Sequence, residues 1–366
     1  MKILIVNAIL YTNENKKVRT CNSVQDCMII DLCKAFAENG HDVTLVAAEE
    51  YKPLTDESFN FRVIWMKSYF RGIFPANKIP FNFGLLNHLR HNSYDYIICS
   101  EVFSLDSLLA VMLQKNKIII WQEMAFHQKL AKKLASKFWH NVIVRLFFGN
   151  VRVVPRTENA KKFISLYCNN VSSTVIQHGI NLNKFVFCSK KSKFFMISSQ
   201  LIPRKRIDKI IYAYSDFCNK YGNDYKLYIA GDGDEKTKLV DLVNRLKLND
   251  HVVFLNKLPH SSLVKYLSEA IALLIYTEKD NSMISISEAI AVGTPIVTTS
   301  VPDNSVYIRD NSLGIVSDCW GADDLIKVVR NNSKYVDNCN KYRATLDNNF
   351  NVNLFIDEFM KLQSNP

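Results

Sequence analysis

DNSMISISEAIAVGTPIVTTS, residues 280–300, places two carboxylates eight positions apart around the start of an apolar helix. Asp280, Asn281 and Ser282 are residue types that favour helix N-caps, and the run from Met283 to Val292 is almost wholly apolar until Gly293 ends it. Thr294-Pro295 then turns the chain into a short β-branched strand, 296–299. Glu288, in the middle of such a helix, demands a polar partner. The free N–H groups of the first turn, at Met283, Ile284 and Ser285, suit an anion, whereas the flanking carboxylates suit hydroxyls. A diphosphate with a sugar at each end meets both demands. The alternative is that Asp280 merely caps the helix and Glu288 is a satisfied core acid.

The rest of the chain bounds this reading. Its 366 residues exceed one ordinary core, and 48% hydrophobic with 22% charged residues describes a globular protein of two domains. Nine cysteines without a C-x-x-C pair read as reduced thiols in a cytoplasmic compartment. The opening MKILIVNAIL is followed directly by Tyr11-Thr12-Asn13-Glu14, which reads as a buried strand at 3–6 rather than a leader or a membrane span. Residues 1–185 hold 23 Lys and Arg against 14 Asp and Glu, a net +9 out of the chain's +11. The first half therefore faces something acidic, and an anionic membrane surface fits better than nucleic acid, for which no helix-turn-helix, RNP-like or zinc pattern is present.

Strand-like and helix-like stretches alternate throughout. In the first half, strands are expected at 3–6, 43–46, 62–65, 96–99, 117–120 and 151–154, with an amphipathic helix over 23–38, and 174–181 closing the half. The second half repeats the pattern, with strands at 194–197, 226–230, 252–255, 272–275 and 296–299 and helices over 206–220 and 235–246. Apolar runs of this kind suit parallel sheets covered on both faces, with ligands at the carboxyl ends of the strands.

The 280–300 segment resembles the E-x7-E region of retaining GT-B glycosyltransferases of the family 4 (group 1) type, with Asp280 and Glu288 at the two acidic positions and Asp in place of the usual Glu at 280. The resemblance implies an α/β fold of two tandem Rossmann-like, doubly wound domains with an inter-domain cleft. It implies an acceptor-binding domain at 1–185, a nucleotide-sugar-binding domain at 186–345 and a final helix within 346–366 crossing back to the first. It also implies that Glu288 binds the donor ribose and Asp280 the transferred sugar. Ser198 to Asp208 stands where the family has G-R-L-x-x-x-K-G. Lys205 matches the Lys, but Gln200 replaces the Arg, so Arg204 and Arg206 are expected to supply the missing charge on the diphosphate. Gly231-Asp232-Gly233-Asp234 reads as the family's glycine turn beside the nucleotide; a metal-binding D-x-D is the alternative.

On the acceptor side, Glu101, Glu123 and His127 follow strands, and His127 is a catalytic candidate, although a lone His is more often structural. His178-Gly179-Ile180-Asn181 resembles the family's linker motif. Residues 128–148 form a basic amphipathic helix, with Leu130, Leu134, Phe138, Trp139, Val142 and Leu146 on one face. That pattern suits either contact with an anionic membrane at its inner face or a core-packed helix with a solvated basic side. The expectation is a metal-independent, cofactor-free glycosyltransferase that moves a sugar with retention to a saccharide or lipid-phosphate-linked acceptor. A nucleotide-sugar epimerase, or a catalytically silent binding relative, stands as the alternative.

Overall fold

A computed structural model describes residues 1–11, 22–127 and 132–364. The chain forms two compact units, one of residues 1–181 and 348–366, the other of residues 182–347. The first is built on strands β1 Lys2–Val6, β2 Asp42–Ala48, β3 Arg62–Met66, β4 Tyr96–Ser100, β5 Ile118–Gln122 and β6 Arg152–Pro155, all parallel, in the order β3-β2-β1-β4-β5-β6. Helices α1 Met28–Glu38, α2 Gly84–His91, α3 Leu105–Gln114, α4 Lys132–Phe138 and α5 Glu158–Ile164 connect them. The strands are apolar on both sides because helices cover both faces.

The second unit repeats this architecture. Strands β7 Phe194–Ser198, β8 Lys226–Ala230, β9 Val252–Asn256, β10 Ala272–Leu274, β11 Ile296–Thr298 and β12 Gly314–Val316 run parallel in the order β12-β11-β10-β7-β8-β9. Its helices are α6 Ile207–Tyr221, α7 Lys236–Arg245, α8 His260–Glu269, α9 Ile284–Ala291, α10 Ser305–Asp310, α11 Ala322–Arg330 and α12 Asn332–Tyr342. In both sheets the first and fourth strands lie side by side and the chain winds outward from them in both directions, so the strand order reverses between β1 and β4 and again between β7 and β10. Loops leaving the carboxyl ends of such strands diverge and leave room for a ligand.

The final helix, α13 Asn348–Ser364, belongs to the first unit. Val352, Phe355 and Phe359 are buried in that unit's core, and the Phe359 ring stacks on Tyr96 with centroids 4.2 Å apart. Gly179 lies against the start of this helix: a Cβ there would sit 2.4 Å from Asn348 Oδ1.

Three local readings change. The helix expected from residue 23 begins at Met28, because the Ser23 hydroxyl and the Val24 N–H both bond Glu57 and hold the preceding residues in a turn. Strand β12 was not foreseen, being three residues long and opened by a glycine whose added Cβ would meet the Ile296 carbonyl oxygen at 1.9 Å. The stretch 128–148 is not one regular helix: α4 passes into a wide π-helical segment, Trp139–Phe148, and residues 128–131, with Leu130, lie outside the described residues. It is Val144 and Phe148 that pack on the sheet, whereas Leu134, Phe138 and Leu146 of the foreseen stripe are 79%, 63% and 70% exposed. Of the stripe, Trp139 packs against the core and donates to the Val102 carbonyl at 3.0 Å, whereas these three side chains face solvent. The eight described cysteines are free, Cys21 lies outside the described residues, and no described helix is long and apolar enough to cross a membrane.

Glu358 on α13 is fully buried and accepts from Arg152 on β6 at 2.7 Å and from Lys361 at 2.7 Å. Burial alone would raise its carboxyl, but the bonds from Lys361 and Arg152 outweigh that and hold it below the ordinary range. Glu358→Ala should cost about 3 kcal/mol of stability by stranding Arg152. The stabilisation is complete above the unfolded carboxylate pKa and is lost as pH falls through the lowered folded value, so denaturant melts of wild type and variant should converge on acidification.

Candidate active site

In the second unit the switch point between β7 and β10 brings two loops together. After β7 the chain is pinned by Ser199 N–H to the Ala230 carbonyl at 3.1 Å and by Leu201 N–H to the Asp232 carbonyl at 2.9 Å, then makes one 3-10 turn over Pro203–Lys205. The loop after β10 bonds to it: Glu278 N–H donates to the Arg204 carbonyl at 2.9 Å. Asp280 is held between Arg204 Nη1 and Lys205 Nζ, each at 2.8 Å, and accepts from the Thr277 hydroxyl at 2.7 Å. Burial pushes its carboxyl up, but Lys205, Thr277 and Arg204 outweigh that and hold it below the usual range. Asp280 thus holds two cations side by side at the carboxyl ends of β7 and β10.

Asp280 does not cap α9. The N-cap is Met283, whose N–H donates to the Asn304 side chain, itself buried and donating back to the Met283 carbonyl. Met283 is thereby removed as an anion donor. The N–H groups of Ile284 and Ser285 bond no other described residue, which leaves these two for a ligand. Asn281 and Ser282 lie in the loop before the helix, where the Asn281 carbonyl accepts from Asp303 N–H at 3.3 Å. Glu288, one turn further along, accepts from His260 Nε2 at 2.8 Å.

Gln200 is exposed on the loop, away from the Asp280 cluster's bonds. Of the two neighbouring arginines expected to supply its missing charge, Arg206 is engaged elsewhere. Arg206 is tied to Asp208 at 2.9 Å and to Glu278 at 2.6 Å, and these two acids raise its pKa. Its charge is matched by these two acids, whereas Arg204 and Lys205 both face Asp280. Gly231 and Gly233 pack against the 199–201 backbone: a Cβ would come within 1.8 Å of the Ser199 carbonyl oxygen at 231 and within 2.4 Å of that of Leu201 at 233. Asp232 turns its carboxylate onto the Gly233 N–H at 3.0 Å, as a turn residue does.

In the first unit a second cluster stands at the carboxyl ends of β1, β4, β5 and β6. Glu101, at φ +67°, folds its carboxylate back to accept the N–H groups of Glu123 at 2.7 Å and Met124 at 3.2 Å. Burial pushes it up to about 7 despite nearby Arg156, with the Glu123 charge adding to the rise. Glu123 accepts from Arg156 at 3.0 Å; His178 and Arg156 outweigh its desolvation and lower it to about 2. Sequence reasoning overlooked Arg156 and treated His178 only as a linker residue. The Arg156 guanidinium lies 3.8 Å over the Trp121 ring and donates to His178 Nε2 at 2.8 Å and to the Ser100 hydroxyl at 3.1 Å. His178 Nε2 thus stands between a donor, Arg156 at 2.8 Å, and an acceptor, the Glu123 carboxylate at 3.4 Å. His127 is not part of this cluster. Its two nitrogens bond Ser136 at 2.9 Å and Tyr167 at 3.1 Å, its ring packs edge-on to His140 and Phe163, and burial lowers its pKa. That is a structural histidine's setting.

Two family profiles match adjoining parts of the chain: Glycosyltransferase Family 4 over residues 28–184 and Glycosyl transferases group 1 over residues 181–345. Among curated proteins, N-acetyl-alpha-D-glucosaminyl L-malate synthase of Bacillus anthracis is 28% identical over 153 residues, 41% of this chain and 39% of that one. Alpha-monoglucosyldiacylglycerol synthase of Streptococcus pneumoniae is 25% identical over 204 residues, 51% of this chain and 46% of that one. The chain thus spans less than half the length of these relatives. Among solved structures, sucrose-phosphate synthase of Thermosynechococcus elongatus superposes with a TM-score of 0.69 at 14% identity, covering 100% of both chains. HepE of Anabaena in complex with UDP gives 0.69 at 13% identity, covering 99% of this chain and 100% of that one.

The two arginines should separate on substitution. Arg204→Ala should weaken UDP binding about tenfold or more, the loss of one charged hydrogen bond, whereas Arg206→Ala should leave it within about twofold while lowering thermal stability. Isothermal titration and a melting curve on each variant read both effects; equal losses of affinity would contradict the assignment.

Proposed function

Because this chain belongs to the group 1 and family 4 type of glycosyltransferase and has the GT-B fold of two parallel six-stranded sheets, we propose that it transfers a sugar from a nucleotide-diphosphate sugar, bound by residues 182–347, to a saccharide or lipid-linked acceptor. The observation that carries the reading is the cation pair Arg204 and Lys205 locked on Asp280 beside the open first turn of α9, with Glu288 farther along the same helix. The cations and the Ile284 and Ser285 amides take up charge that grows on the leaving diphosphate, while Asp280 and Glu288 accept hydroxyls of the sugar and the ribose. In this reading catalysis needs no metal and the sugar is transferred with retention. UDP in the HepE complexes supports a uridine nucleotide as the first donor to test. In the first unit, the Glu123 carboxylate offers an acceptor hydroxyl a hydrogen-bond acceptor.

Titration against UDP and GDP, followed by turnover of their sugars in EDTA, tests this proposal. Binding of one nucleotide with activity retained in chelator is the expected result. Absence of binding to both, or activity that manganese alone restores, contradicts it. Lys205→Ala should lower kcat by more than it raises the donor Kd, because the charge it faces is largest in the transition state.

A peripheral membrane contact by the first unit is supported by the solvent-facing stripe Leu134, Phe138, Val142 and Leu146, flanked by exposed Lys137 and Arg145. The loop between β3 and α2, which sequence reasoning passed over, adds a second surface of this kind. Tyr69, Phe70, Ile73 and Phe83 are exposed on it, and residues 67–83 contain Lys67, Arg71 and Lys78 but no acid. Its base is held by buried polar groups, with Asn82 bonded twice to the Asp106 carboxylate and Ser68 to Glu50. Apolar side chains displayed on a polar footing suit an interface with lipid. Wild type should sediment with anionic vesicles and not with neutral ones, and the Leu134→Ser, Phe138→Ser double variant should lose several-fold in partitioning with UDP affinity unchanged. Equal partitioning of both proteins would remove the stripe from the argument.

A further inference from the structure

We infer that His260 is a positioning residue for Glu288 and thereby sets how strongly the nucleotide site prefers ribose to 2′-deoxyribose. The inference rests on the proposed role of Glu288 in holding the ribose. A glutamate on a helix has three side-chain torsions, the last of them broad, so a carboxylate meant to receive two vicinal hydroxyls loses alignment unless something else fixes it. On α9 that fixing comes from another helix. His260 is the first residue of α8, directly after Pro259, and its Nε2–H donates to Glu288 Oε1 at 2.8 Å. The carboxylate accepts from no other described residue, so one oxygen is held and the second is left to receive a hydroxyl.

The imidazole is itself supported. Phe185, 4% exposed, meets the His260 ring edge-on with centroids 6.0 Å apart, and the Phe185 carbonyl accepts from Arg343 at 2.8 Å. The side chain of Glu288 is 12% exposed and that of His260 34%, so the pair stands at the margin of the interior, with solvent on one side only. A contact serving stability alone would weaken binding of every nucleotide alike when removed. A positioning contact should act only through the hydroxyl that Glu288 receives.

Titrations of wild type, His260→Ala, His260→Gln and Glu288→Ala with UDP and 2′-deoxy-UDP, and with GDP and 2′-deoxy-GDP, separate these roles. Wild type should bind the ribonucleotide roughly tenfold or more tightly than its deoxy form, as expected for a hydrogen bond to a charged group. In His260→Ala the ratio should fall to about twofold through loss of ribonucleotide affinity alone, and His260→Gln, whose amide N–H still reaches a carboxylate, should recover most of it. An unchanged ratio in His260→Ala, or equal weakening of both nucleotides, overturns the inference. A ratio in Glu288→Ala equal to that of wild type would instead remove the ribose role of Glu288, and with it the basis for His260.

Discussion

A carboxylate shared by two cations, Asp280 between Arg204 and Lys205, is the contact on which the candidate site of the second unit depends. Arg204 and Lys205 sit three residues or fewer from a left-handed residue, Arg206 at φ +39°, on a loop with little regular structure of its own. Left alone, two adjacent cations would repel and sample solvent. Asp280 makes their proximity favourable, and the backbone bond from Glu278 to Arg204 ties the loops after β7 and β10 into one unit. Those strands lie side by side only because the sheet winds outward from them, so topology and charge act at the same place.

The first unit solves a similar problem with an aromatic ring. Its two acids after β4 and β5 would repel each other in a partly desolvated setting. Arg156 lies flat on Trp121 and lends its charge to Glu123, and Glu101 is driven toward protonation. The two carboxyl groups therefore differ widely in ionisation although they follow neighbouring strands. Environment, not residue type, separates them.

Sequence periodicity made both sheets and helix α9 legible, because an apolar run and a terminating glycine are local signals. Partners that close in space were invisible. His260 stands 28 positions before Glu288 on another helix, Arg156 meets Glu123 only across the strand ends, and Asn304 takes over the cap that Asp280 to Ser282 were expected to form. The charge of Arg206 was visible, but its cancellation by Asp208 and Glu278 was not, since Glu278 is 72 residues away. His127 shows the reverse failure: its place after a strand suggested the cluster, but an aromatic pocket from later in the chain holds it.

The burial of Val352, Phe355 and Phe359 in the first unit's core has a consequence for biosynthesis. A ribosome releases residues 1–181 long before α13 exists, so the nascent N-terminal sheet waits with its α1 side uncovered while residues 182–347 are made. The later-encoded unit is the first able to complete its fold, and the earlier one must be sheltered until the last seventeen-residue helix emerges. A chain stopped just before Asn348 would carry a finished second unit attached to an unfinished first one, exposing aromatic core to whatever chaperone or neighbouring nascent chain is nearest.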